Sequence, residues 1–98
     1  MAKMNNQVAY SEMKIRAIIN SIQKKLDKNQ QDYWIIRTQL DQFTKRDYLA
    51  FSTDYNLSSK TKSFLANYPQ QLVNNWAILT IKKKDEREKV IGIELEKN

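Results

Sequence analysis

The 98-residue chain is 41% hydrophobic and carries a net charge of +6 at neutral pH, with a sequence pI near 9.6. Those values suit one domain around one modest core and favour an anionic partner. There is no cysteine, no histidine and one glycine, Gly92, which excludes disulfides, thiolate catalysis and glycine-rich phosphate loops, and removes the commonest general base and metal ligand.

No run of about 18 apolar residues exists to span a membrane. No continuous apolar run follows the N-terminus as a signal peptide requires. The expectation is a cytoplasmic protein that is not an enzyme and uses no cofactor, membrane or small-molecule substrate. Charge is uneven. Residues 1–29 carry six basic and two acidic side chains, and residues 58–76 carry Lys60 and Lys62 with no acid.

In chain order, Val8, Ile15, Ile18, Ile19, Ile22 and Leu26 recur at spacings of three, four and seven. That stripe predicts an amphipathic helix over 7–27, with Arg16, Lys24, Lys25 and Lys28 off it. A second helix is expected over 31–43, with Tyr33, Ile36, Leu40 and Phe43 on one face and Trp34 and Ile35 widening it. Thr44 can cap a third helix, with Asp47 at its third position and Tyr48, Leu49, Phe51 and Tyr55 as its apolar face. It is expected to end at Asn56 in a left-handed conformation.

Ser58 can cap a fourth helix that buries Leu57, Thr61, Phe64, Leu65 and Tyr68 and stops near Asn67, because Pro69 cannot continue it. The period then changes from helical to two. Ala77, Leu79 and Ile81 form one alternating run, and Ile91, Ile93 and Leu95 another, joined by the charged segment 82–89. This predicts an antiparallel hairpin. The expected fold class is mainly α with a C-terminal β-hairpin, divided into an N-terminal basic helix over 1–29 and a domain over 30–98.

The segment Phe51-Ser52-x-x-x-Asn56-Leu57-Ser58 resembles the turn of a winged helix-turn-helix. Asp85-Glu86-Arg87 followed by Val90-Ile-Gly-Ile-Glu-Leu95 resembles the wing of MarR-type regulators. The resemblance spans roughly residues 30–96. It departs from the family pattern at Asn56, where glycine is usual, at Ser52, where alanine is usual, and in lacking long C-terminal dimerisation helices. The resemblance implies double-stranded DNA as partner; if the chain forms a homodimer, the first helix is the candidate for its interface.

It also implies a recognition helix in the major groove, with Ser58, Ser59, Lys60, Lys62, Ser63 and Asn67 on bases or phosphates. Lys82, Lys83, Lys84, Arg87 and Lys89 of the wing would follow the backbone or enter the minor groove, and Lys45 and Arg46 would contact phosphate. The biological role would be that of a small transcriptional regulator or a plasmid or phage accessory factor. The competing reading is a small basic helical interaction module, such as a bacteriocin-immunity-like protein or a phage inhibitor of a host protein. Its charged faces would then be solvated surface.

Overall fold

Sixteen consecutive residues, Ser11–Leu26, form one strand, β1, which organises the fold. The computed structural model describes residues 10–96. After β1 come β2 (Asp32–Gln39), β3 (Lys45–Phe51), the helix α1 (Ser59–Asn67), a 3-10 turn at Pro69–Gln71, β4 (Trp76–Lys84) and β5 (Arg87–Leu95). The N-terminal half of β1 pairs with β4, from Ser11↔Lys83 to Ile18↔Trp76, and its C-terminal half pairs with β2, from Ile18↔Gln39 to Leu26↔Asp32. The sheet closes in the order β1-β2-β3-β5-β4. Every neighbouring pair is antiparallel except β3 and β5, which meet in parallel at Leu49↔Lys89.

Alternation fills the barrel. Ala17, Ile19, Trp34, Ile36, Tyr48, Ala50, Leu79, Ile81 and Val90 are buried inside, and Leu57, Leu65 and Leu72 join the same cluster from α1 and its flanks. The helix is tied to the barrel through its N-terminus. The Ser58 hydroxyl accepts the Thr61 N–H at 3.1 Å, and the Ser58 N–H donates to the Ile91 carbonyl at 2.9 Å. The Ile93 N–H in turn donates to Thr61 Oγ1 at 3.0 Å. These bonds meet β5 where its pairing with β4 slips between Thr80 and Ile81. A bulge leaves a backbone group unpaired, and here the helix supplies partners.

Two expectations hold. The helix capped by Ser58 ends at Asn67, before Pro69, and the hairpin is present as β4 and β5. The mainly α fold class is corrected: the chain is mainly β with one short α-helix among the described residues, so the winged helix-turn-helix resemblance and the MarR-type wing fall with it. Within the described residues, the helix expected over 7–27 is β1, which belongs to the same barrel as the strands after residue 30. Val8 lies outside the described residues. The helices expected over 31–43 and 44–56 are the β2–β3 hairpin.

The cause is visible in β1. Its pairing with β2 slips between Ile19 and Ser21, so the inward series Ala17, Ile19 continues at Ile22. One extra residue turns a period of two into a step of three, and with Ile15 and Leu26 this imitates a helical stripe. In β2, Trp34, Ile36 and Thr38 point inward, while Tyr33 and Ile35 are half-buried on the outside. The turns between strands are made by aspartates. Asp27 Oδ1 accepts the N–H of Asn29 and of Gln31 at 2.8 and 2.9 Å, beside Gln30 at φ 63°. Asn56 does not take the left-handed conformation; its N–H donates to Asp54 Oδ1 at 2.9 Å.

The connectivity is that of the OB-fold, a five-stranded Greek-key barrel, with its helix between the third and fourth strands. No helix among the described residues is long and apolar enough to cross a membrane.

A clasp closes the end of the chain. Arg16 Nε and Nη2 donate to the two Glu96 carboxylate oxygens at 2.6 and 2.8 Å, and the guanidinium lies 4.1 Å from the Trp76 ring centroid. Hydrogen bonding to Arg16 holds the Glu96 carboxyl below its usual range. The clasp's contribution to stability is therefore fully present above the ordinary carboxylate range, and is lost as pH falls through the lowered value. Thermal unfolding of wild type and Arg16→Gln should accordingly differ near neutral pH and converge in acid. At the helix cap, Ser58→Ala should cost about 1 kcal/mol in urea unfolding. Thr61→Val, which strands the Ile93 N–H while keeping the side chain's shape, should cost about 1–3 kcal/mol.

Candidate nucleic-acid interface

The β4–β5 register sorts the charged segment by face. Ile81 and Val90 are an inward pair, followed by Lys82↔Lys89, Lys83↔Glu88 and Lys84↔Arg87. Successive side chains alternate, so Lys82, Lys84, Arg87 and Lys89 share the outer face while Lys83 and Glu88 take the opposite one. Asp85 stands at the turn with φ 58°, a conformation that aspartate tolerates better than most residues. Like charges directly opposite each other weaken a sheet, and here two such pairs follow one another on one face.

One of the four cations is already engaged. Lys82 Nζ donates to Asp54 Oδ2 at 2.7 Å and to Asn56 Oδ1 at 3.0 Å. The Lys82 and Asp54 side chains are only 13% and 8% exposed. This pair pins the loop between β3 and α1 to β4. Lys84, Arg87 and Lys89 form no ion pair among the described residues.

Beside them lies an outer row of apolar and aromatic side chains. Tyr33 and Phe51 are a cross-strand pair, and their rings stack at 5.5 Å with an interplanar angle of 22°. Lys89 Nζ sits 4.7 Å from the Phe51 ring centroid. The next pair along the hairpin is Ile35↔Leu49, and Leu49 is also the bridge to Lys89. Lys25 of β1 stands opposite Tyr33 on the far side. From β2 across β3 and β5 to β4, three strand spacings give about 14 Å of continuous surface. It runs from an aromatic pair through Leu49 to a row of cations.

Two hollows open on this surface and share Phe51 and Lys89. One, of about 540 Å³, lies between Asp47, Leu49 and Phe51 of β3 and the Glu86–Lys89 segment. The other, of about 350 Å³, is lined by Phe51, Tyr55, Lys82, Lys84 and Lys89 among others. Tyr55 is 91% exposed at its rim. Both volumes fall in the range of small-ligand sites.

The sequence-derived candidates separate into groups. Lys89 sits over Phe51, Lys84 and Arg87 each line a hollow with Phe51, Lys82 is held by Asp54 and Asn56, and Lys83 takes the opposite face. Ser58 is a helix cap and Ser59, Lys60, Lys62, Ser63 and Asn67 are exposed on α1. That helix docks on the C-terminal half of β5, near Ile91 and Ile93, away from the hairpin cations on its N-terminal half. Lys45 and Arg46 are exposed at the start of β3.

Tyr33, Ile35, Leu49, Phe51 and Lys25 were not among the candidates. Their signal was the two-residue spacing of Tyr33 and Ile35 and of Leu49 and Phe51, hidden by adjacent core residues. No protein-family model, curated protein or solved structure matches the chain.

Asp54→Ala removes the counter-charge of a largely buried ammonium and should cost about 3 kcal/mol. Asp54→Ala combined with Lys82→Met should recover much of that loss. Urea unfolding of the two single variants and the double variant checks this coupling.

Proposed function

We propose that the chain binds single-stranded nucleic acid across β2, β3, β5 and β4. The observation that carries this reading is the outward Tyr33–Phe51 stack with Lys89 over the Phe51 ring, and Lys84 and Arg87 on the same face of the hairpin as Lys89. Aromatic rings offer unpaired bases a stacking surface, and cations beside them follow the phosphates. A duplex keeps its bases stacked on one another and cannot use such rings without unstacking. The barrel topology lends support by analogy, since OB-folds use the face of strands 2 and 3 and the loops 1–2 and 4–5 for oligonucleotides and oligosaccharides. In this chain the loop between β1 and β2 brings Lys28, and the end of β1 brings Lys24 and Lys25.

Bases would lie on Tyr33 and Phe51, with Leu49 and Ile35 as the apolar pair beside them. Lys89 now occupies one side of the Phe51 ring. An arriving base displaces it, and its ammonium moves to the adjoining phosphate. Lys84 and Arg87 continue the phosphate track along the hairpin. No side chain in this strip is arranged to read one base edge, so the expected specificity is for single strands over duplex, with little sequence preference.

Fluorescence anisotropy with a labelled mixed-sequence oligonucleotide, and with the same sequence as duplex, tests this. The single strand should bind more tightly. Phe51→Ala should weaken that binding by about 1–3 kcal/mol, or about 5–150-fold. Lys84→Ala with Arg87→Ala should reduce the logarithmic salt slope by about 1.4, at about 0.7 for each phosphate contact. Equal affinity for duplex, unchanged in Phe51→Ala, contradicts the reading. Salt-insensitive association points to a protein partner instead.

A further inference from the structure

The turn between β2 and β3 presents an unburied phenyl ring. Phe43 is 87% exposed, although the turn that carries it is tightly tied. Asp41 Oδ1 accepts the N–H of Phe43 at 2.8 Å and of Thr44 at 2.9 Å. Thr44 Oγ1 donates to Asp41 Oδ2 at 3.4 Å, and the Leu40 N–H donates to the Thr44 carbonyl at 2.8 Å. The ring therefore projects from a fixed turn.

After Thr44 come Lys45, on the outer row of β3, and Arg46, on the opposite parity, both exposed and neither in an ion pair among the described residues. This turn is continuous with the proposed strip. Lys45, Asp47, Leu49 and Phe51 are the outer row of β3, and the six residue steps from Lys45 to Phe51 span about 20 Å. One hairpin thus carries a stacking pair at one end and an exposed phenyl on a tied turn, followed by two cations, at the other.

We propose that Phe43 is a wedge that enters the base stack where a single strand joins a duplex, with Lys45 and Arg46 on the flanking phosphates. The inference rests on the single-strand reading above. Apolar side chains inserted at a base step unstack it, and the step at a duplex end is the easiest to open because one side is already unpaired. Lys45 and Arg46 supply cationic partners for phosphate, while Asp41 is turned onto the backbone of the turn and Asp47 pairs with Arg37. The 20 Å separation lets the emerging strand continue along β3 to the Tyr33–Phe51 stack.

The experiment uses the full chain with three ligands: a single strand, a duplex with a single-stranded tail of the same sequence, and a blunt duplex. A fluorescent adenine analogue at the junction reports unstacking. The tailed duplex should bind about fivefold or more tighter than the tail alone, in the range of one base–aromatic contact, and the analogue should brighten on binding. Phe43→Ala, which leaves the core untouched, should remove both effects and preserve affinity for the single strand. Phe43→Trp should retain them.

Equal affinity for tail and tailed duplex overturns the wedge while leaving single-strand binding intact. So does a junction preference that survives in Phe43→Ala. Failure to bind any single strand overturns the reading on which the wedge depends.

Discussion

The fold depends on one strand serving two partners. β1 pairs with β4 along its first half and with β2 along its second, and only Ile18 is paired with both. A straight strand of sixteen residues would pass the barrel by. The slip between Ile19 and Ser21 bends it, and shifts which side chains face inward, so that Ala17, Ile19 and Ile22 all contribute to one core. A bulge bends its strand and increases local twist, which is what closure of a small barrel requires. The second slip, in the β4–β5 pairing, exposes backbone groups of β5 to which Ser58 and Thr61 bind. Closure at one bulge and helix docking at the other are thus parts of one construction.

That construction determines what lies outside. With the core on one parity, the other parity of β2, β3, β4 and β5 forms the outer strip, and its composition is unusual for solvated sheet. Tyr33, Ile35, Leu49 and Phe51 form an apolar row, and four cations face one another across the hairpin. The Lys82–Asp54 pair holds the β3–α1 loop against β4, fixing Tyr55 at the rim of the hollow. The stacked rings, by contrast, sit opposite each other on β2 and β3, which are paired from Tyr33↔Phe51 to Gln39↔Lys45. A stacking surface there is rigid before any ligand arrives, which lowers the ordering cost of binding.

Local chemistry was readable where a single residue dictates it. Ser58 can only be useful as a cap ahead of an amphipathic run, and Pro69 can only stop it. The hairpin announced itself by clean alternation on both sides of a charged turn. The first three strands were hidden for two different reasons. In β1 the bulge converted strand spacing into helix spacing, although four isoleucines in eight residues favour a strand. In β2 and β3 both faces carry apolar residues, so the alternation that marks a half-buried strand is blurred into a broad stripe. The cations of the site were visible as a basic run, but their partition depends on the two-residue turn at Asp85 and Glu86. The aromatic half was invisible for the same reason as the strands: Tyr33 and Phe51 meet only when residues 32–51 form a hairpin.

The most direct test is a residue-by-residue map of binding in solution. Amide chemical shifts of the isotopically labelled chain, followed during titration with an unstructured oligonucleotide, report which surface the ligand touches. Shifts clustered on Lys25, Tyr33, Ile35, Leu49, Phe51, Lys84, Arg87 and Lys89 are the expected result. Shifts confined to α1, at Lys60, Lys62 and Ser63, or no shifts at all, contradict single-strand binding across this face of the barrel.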